Sequence, residues 1–203
     1  MAHGYKVLFS DIGGVLLSNG WGHESRQAAA KKYGINYEEM EVLHNFIFNV
    51  YEMGKITLDT YLDTVIFNHP RDFSREEIKN FIFDQSVELP HTLQWLIEWR
   101  KKHPFLKVIS INNEAKELNE HRIQKFGLHE FFDAFVSSCE VKMRKPDPEI
   151  FRLALGIAQA RPEECLYLDD RSFLVQAARN EGIHAYHHQT FEETQKILEE
   201  AMS

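Results

Sequence analysis

Cysteine is scarce in this chain: two among 203 residues, Cys139 and Cys165, far apart and without a CxxC partner. That excludes a disulfide scaffold and a thiolate zinc site, and since Cys165 opens an apolar run, both read as reduced core residues. Positive charge is also short. Lys and Arg number 23 against 31 Asp and Glu, the formal charge is −8, and no Lys/Arg-rich block occurs, so a nucleic-acid backbone finds no electrostatic footprint. No 18-residue apolar run exists to cross a membrane, and Val7 to Phe9 is too short for the core of a signal peptide. The expectation is a cytoplasmic protein with neither membrane nor nucleic-acid partner. Internal repeats and low-complexity linkers are missing too. The 11 histidines show no metal-ligand spacing beyond adjacent His187 and His188, which on a strand point to opposite faces. What remains is an ordinary globular composition, 43% apolar and 27% charged, long enough for one good core or one core with a small inserted domain. Oligomeric state is not legible.

The stretch that organises the rest is Tyr5 to Leu17, YKVLFSDIGGVLL. Val7, Leu8 and Phe9 suit a strand buried on both faces, and the run stops at Ser10-Asp11-Ile12-Gly13-Gly14. A carboxylate then stands at the strand's carboxyl end, where an open parallel sheet keeps its ligand crevice, and the paired glycines let backbone come close. An isolated Asp in such a place more often ends a strand or caps a turn; the stretches downstream decide otherwise.

From Asn19 to Gln85 the pattern is helical. A first helix after His23 stops at Gly34, Asn36 and Glu39 open a second, Thr57 a third, and Ser74 with Glu77 forms a capping box for a fourth. The stripe Phe46, Phe48 and Tyr51 reads as core or inter-helix packing, with substrate-pocket lining as the alternative. After Pro90, helix and strand alternate: strands over Phe105 to Ile111, Phe132 to Ser137, Cys165 to Leu168 and Ala185 to His187, each joined by a helix. Repeated strand-helix units predict an α/β fold around a parallel sheet with right-handed crossovers.

Asp11, Asn112 and Asp170 each fall at or just beyond the carboxyl end of a predicted strand, so one sheet edge collects all three. Two carboxylates with few compensating charges call for Mg²⁺. Lys145, in the proline-stiffened loop KMRKPDP, can hold a phosphate oxygen or the nucleophile, and Asn112 with Asn113 at the start of the next helix can bind anionic oxygens. The set suits phosphoryl transfer onto a carboxylate.

Those four stretches, in that order, resemble the four motifs of the haloacid dehalogenase superfamily over essentially the whole chain. Residues 1–18 and 90–203 are similar to its Rossmann-like core and residues 19–89 to its helical cap inserted after the first motif. MGKITLDTYL in the cap resembles the sugar-phosphate phosphatase branch that includes the bacterial α-glucose-1-phosphate phosphatase and the amino-terminal domain of soluble epoxide hydrolase. The resemblance implies Asp11 as nucleophile, Lys145 as its partner, and Asp11, the Gly13 carbonyl and Asp170 as Mg²⁺ ligands. The substrate implied is a small phosphorylated metabolite, such as an anomeric sugar 1-phosphate. Three positions depart from the wider pattern: Gly13 stands where an acid/base Asp is usual, Asn112 where Ser or Thr is usual, and Leu174 where an acidic or amide side chain is common. They leave open a weak or inactive member that binds a metabolite or a protein. A phosphomutase needs the missing Asp, and a dehalogenase has no use for Asp170. Without an acid at position 13 the rate should depend steeply on the leaving group, with His23 the substitute donor to consider. Lys145 is expected to be an exposed loop lysine, removable without loss of the fold.

Overall fold

Every side chain of Val7–Ser10 (β1) is buried, which only a central strand can achieve. The structure, a computed structural model, describes residues 4–202. It contains Lys107–Asn112 (β2), Ala134–Ser137 (β3), Cys165–Asp169 (β4) and His184–His187 (β5). The five strands are all parallel, in the order β3-β2-β1-β4-β5, the α/β architecture the alternating pattern predicts. Register pairs Ser10 with both Ser110 and Leu168, which brings the carboxyl ends of β1, β2 and β4 level.

Alternate side chains of β1 enter opposite cores. Leu8 packs with Val108, Leu166 and Leu168 against Thr92–Lys102 (α5) and Phe191–Ala201 (α10). Val7 and Phe9 pack with Ile109, Ile111 and Tyr167 against Pro148–Ala158 (α8) and Ser172–Asn180 (α9). Both cysteines are buried and unbridged, and burial pushes each thiol up to about 12, so neither supplies a thiolate. β2 starts two residues later than its apolar run predicts, because Leu106 N–H closes a turn onto the His103 carbonyl and leaves Phe105 exposed. A short helix, Ser138–Val141 (α7), follows β3 where the sequence reads as loop.

Between β1 and α5 lie the four expected helices, His23–Tyr33 (α1), Tyr37–Glu52 (α2), Leu58–Val65 (α3) and Arg75–Asp84 (α4). They share an apolar cluster around Tyr61, Leu62 and Ile78, which Ala115 and Leu118 of the sheet unit join. Both halves of the Ser74–Glu77 capping box form. At Asn36 only half does, since the side chain accepts from Glu39 N–H while the Glu39 carboxylate turns to Asn68 and His69. The aromatic stripe splits: Tyr51 is core, Phe48 reaches a cavity, and Phe46, expected to pack, is 83% exposed. Residues 44, 48 and 51 follow the buried side of the helix, and Phe46 falls off it.

The helical unit is tied to the sheet unit largely through main-chain groups. Ser138 Oγ donates to the Glu52 carbonyl (2.8 Å), Lys142 Nζ to the Gly54 carbonyl (2.9 Å), and Leu58 N–H to Glu117 Oε1 (2.8 Å). Lys116–Lys125 (α6) contributes Glu117 and also Arg122, whose guanidinium donates to the Ser18 carbonyl. Gly54 sits at φ 62°, and a Cβ there would lie 2.4 Å from the Cys139 carbonyl. Among the described residues no helix is long and apolar enough to cross a membrane.

Candidate active site

β1 ends at Ser10, so Asp11 is the first residue past the strand, and its N–H still bonds the Leu168 carbonyl at 2.8 Å. Its Oδ1 accepts from Ile12 N–H (2.8 Å) and its Oδ2 faces Lys145 Nζ at 3.1 Å. The same ammonium donates to Asp169 Oδ2 at 2.7 Å and to Tyr167 OH at 3.0 Å. Lys145 is thus not the exposed loop lysine its surroundings in the sequence suggest: it is 1% exposed. The cause is a reciprocal clamp on its main chain, Lys145 N–H to Asn113 Oδ1 (2.8 Å) and Asn113 Nδ2 to the Lys145 carbonyl (2.9 Å), which turns the side chain inward. Burial works against its charge, yet Asp11 and Asp169 outweigh burial and hold its pKa above the ordinary value. Burial pushes the Asp11 carboxyl up to about 6, opposed by Lys145 and reinforced by Asp169 and Asp170. One ammonium among three carboxylates leaves an excess of negative charge.

That excess and one stranded atom make the site fit a divalent cation. Carboxylate oxygens of Asp11, Asp169 and Asp170 all lie within 4.8 Å of one another. Asp170 Oδ1 is buried with no hydrogen-bond partner, a cost on the order of 1–3 kcal/mol, and burial followed by the neighbouring Asp169 raises its pKa. A cation held by Asp11 and Asp170 would satisfy the stranded oxygen. Gly13, expected to lend its carbonyl, lines the same cavity as Asp11. Asp169 went unrecognised in the sequence because the doublet Asp169-Asp170 contains two jobs. Both its oxygens are consumed internally, by Lys145 and Tyr167 OH on one side and Arg171 N–H on the other, so it positions Lys145.

Gly14 has φ +73°, and a Cβ on it would stand 2.1 Å from Asp170 Oδ2. Gly14→Ala should therefore destabilise the protein by roughly 1–3 kcal/mol through backbone strain alone and also push Asp170 out of place. Urea unfolding together with a Mg²⁺ titration checks both effects; wild-type stability and affinity would contradict them.

Asn112 ends β2 and is buried. Its Oδ1 accepts from Ser137 Oγ (2.9 Å) and Ser110 Oγ (3.3 Å), and its Nδ2 gives one hydrogen to Asn119 Oδ1 (3.1 Å), so the second hydrogen is what it can offer an oxyanion. Asn113 Oδ1 and one Nδ2 hydrogen are spent on Lys145, leaving the second Nδ2 hydrogen and the main-chain N–H for the anion-binding task expected of that residue.

A cavity of about 290 Å³ opens over these groups, walled on the far side by Trp21, Arg26, His44, Phe48 and Glu52. Trp21 Nε1 donates to Tyr61 OH (2.8 Å), and the same hydroxyl is hydrogen-bonded to His44 Nδ1 (2.7 Å). Burial, then Arg26, lowers the His44 pKa to about 4, and the ring is neutral at pH 7. Arg26 is itself held by Glu41 and by the Trp21 carbonyl. His23 stands at the rim, its Nδ1 bonded to Tyr37 OH at 2.7 Å.

The profile of the haloacid dehalogenase-like hydrolases matches residues 5–182. A phosphorylated carbohydrates phosphatase of Thermotoga maritima is 28% identical over 182 residues, covering 88% of this chain and 82% of its own. The fructose-1-phosphate phosphatase YqaB of Escherichia coli is 28% identical over 110 residues, 54% of this chain and 56% of its own, so that match spans about half of each protein. Among solved structures, a haloacid dehalogenase family enzyme of Bacteroides thetaiotaomicron superposes with a TM-score of 0.82 at 26% identity, covering 96% of this chain and 98% of that one. The same enzyme has been crystallised with magnesium and inorganic phosphate; that form gives a TM-score of 0.77 at 25% identity, with 92% and 95% covered.

Proposed function

The chain belongs to the haloacid dehalogenase-like hydrolase family, a hydrolase of phosphate esters by its relatives, and from that premise we propose a Mg²⁺-dependent phosphatase of small phosphorylated carbohydrates with Asp11 as nucleophile. The observation that carries this reading is the stranded Asp170 oxygen beside a carboxylate already paired with Lys145. Residues 1–18 and 90–203 form the catalytic core and residues 19–89 the cap that selects the substrate.

An Asp11 oxygen attacks phosphorus opposite the ester oxygen, the ester bond breaks, and an aspartyl-phosphate forms; water then attacks that phosphorus and releases phosphate. Lys145 keeps Asp11 ionised and in line and can take up negative charge on the transferring group. The second N–H of Asn112 and the main-chain N–H of Asn113 are donors left for the remaining oxygens. When bound, Mg²⁺ neutralises phosphate charge and draws the two anions together; Asp11, the Gly13 carbonyl and Asp170 would hold it. A cavity of about 290 Å³ suits a single phosphorylated sugar, and its wall joins aromatic faces (Trp21, Phe48) to polar side chains (His44, Arg26).

Phosphate release from a panel of sugar phosphates and other monoesters, with Mg²⁺ and with EDTA, tests the reading. Turnover with Mg²⁺, lost in EDTA and restored by excess Mg²⁺, is the expected result. Asp170→Ala should raise the Mg²⁺ concentration for half-maximal rate by roughly 10-fold to 100-fold, since one anionic ligand is gone. If the whole panel is inert, the vacancy at Gly13 has the other meaning, a fold kept for binding without turnover.

A further inference from the structure

Gly13 leaves the reaction without its usual proton donor; the space beyond it is taken by Asn19, whose Oδ1 would lie 3.2 Å from a Cβ there, and by Arg122, which carries another acid on its far side. A Cβ on Gly13 would lie 3.6 Å from Arg122 Nη1, and that nitrogen donates to Glu114 Oε2 at 2.6 Å. Glu114 and Arg122 both line the cavity that holds Asp11, Asn112 and Lys145. We propose that Glu114 is the general acid and base of the reaction, held by Arg122 and replacing the carboxylate absent at position 13. The proposal rests on the phosphatase reading and adds a catalytic residue to it.

The carboxyl is fixed from several sides. Glu114 N–H donates to Ser138 Oγ (3.0 Å), Ala115 N–H donates to Glu114 Oε1 (3.2 Å), and Arg122 is anchored in turn on the Ser18 carbonyl. The groups facing it are Arg122 from α6, Glu52 and Tyr51 from α2, with Glu52 itself paired to Arg144, and Cys139 from α7. Burial raises its pKa to about 7, Arg122 opposes this and Glu52 adds to it, so near neutrality it can both give and take a proton, the condition general acid–base catalysis favours. The rival donors are worse placed: His44 is neutral with its Nδ1 occupied, and His23 stands at the exposed rim.

In the first step the Glu114 carboxyl gives its proton to the ester oxygen as the P–O bond breaks and the Asp11–phosphorus bond forms. In the second, the Glu114 carboxylate takes a proton from water as the water oxygen bonds to phosphorus and the Asp11 bond breaks. Asp11 returns as carboxylate, Glu114 as acid, and one phosphate leaves per water consumed.

The test is kcat/KM across phosphate monoesters whose leaving groups run from an acidic phenol to a sugar hydroxyl, for wild type and Glu114→Gln at saturating Mg²⁺. Gly13 alone implies a steep dependence in the wild type; Glu114 reverses that to a shallow one. Glu114→Gln should lose about 10²-fold to 10⁴-fold on the sugar phosphate and less than about 10-fold on the aryl ester. The comparison is a ratio within one preparation, so a misfolded fraction lowers every rate alike and leaves the slope unchanged. Wild type supplies a second readout that needs no variant: turnover of the sugar phosphate should fall as pH rises through about 7, while the aryl ester shows no such extra loss. An equal drop in Glu114→Gln across the series, or the same pH profile for both esters, overturns the assignment of Glu114 and leaves the phosphatase standing. Wild type inert on every ester overturns both.

Discussion

Asp11→Asn is expected to lower phosphate release from every ester, activated aryl phosphates included, by on the order of 10³-fold or more, because a neutral amide cannot form the aspartyl-phosphate on which both half-reactions depend. The breadth of the loss separates Asp11 from Glu114, whose removal spares good leaving groups. The fold should survive, since Asp11 is one of three crowded carboxylates and an amide in its place relieves repulsion while Asp169 still faces Lys145 at 2.7 Å. Steady-state phosphate release on freshly purified protein, with thermal melting in parallel, is the measurement. A residual rate above about a hundredth of wild type would remove Asp11 from the nucleophile's role.

Lys145→Ala should cost both activity and stability. The substitution leaves Asp11 and Asp169 facing one another in the interior without a counter-charge, and breaking a buried pair by deleting one partner costs about 3–5 kcal/mol. For a chain of this length that is a fall of roughly 10 °C in Tm. The loss should depend on pH with a definite sign. A carboxyl whose folded pKa lies above its unfolded value contributes stability at low pH and loses it as pH rises through the folded pKa; Asp11 already has a raised folded value of about 6 with the lysine present. Without the lysine, which lowers the Asp11 pKa, that value rises further, so the deficit of Lys145→Ala, measured by urea unfolding without Mg²⁺, should be largest at alkaline pH and shrink as pH falls toward about 6. A variant as stable as wild type at pH 8 would mean that solvent reaches the carboxylates.

The residues that end strands were readable from the chain alone. Asp11, Asn112 and Asp170 announce themselves because a buried apolar run stops at a polar group, and parallel topology then sends all three to one edge. The four cap helices were equally legible from spacing and capping residues. What escaped were roles that only packing confers. A lysine among arginine, proline and aspartate looks solvated, and nothing local says that Asn113, 32 residues earlier, will clamp its backbone and turn it inward. Asp169 hid beside Asp170 because adjacent residues at a strand end face different ways and their division of labour depends on where Lys145 arrives. Glu114 just ahead of a helix and Arg122 in that helix's last turn are ordinary charged residues, and the pairing that sets Arg122 between Glu114 and Gly13 is a tertiary fact. Phe46 failed for a simpler reason: a stripe counted as 46, 48 and 51 mixes two faces of one helix.

The seam between the proposed cap and core is written mostly in core side chains and cap backbone: Ser138, Lys142 and Glu117 hold main-chain atoms of Glu52, Gly54 and Leu58. Carbonyl and amide groups are the same whatever side chain the residue bears. Side chains of the helical unit that do enter the dock include Gly54, whose missing Cβ is part of the fit, Glu52, whose carboxylate pairs with Arg144, Phe83, whose ring stacks on His121, and the apolar residues packed on Ala115 and Leu118; positions facing away from these can mutate without undoing it. Such a hinge lets a lineage retune what it recognises by drift in α1 and α2 while the machinery beneath stays in register, and a laboratory library confined to Trp21, Arg26, His44 and Phe48 would exploit the same freedom.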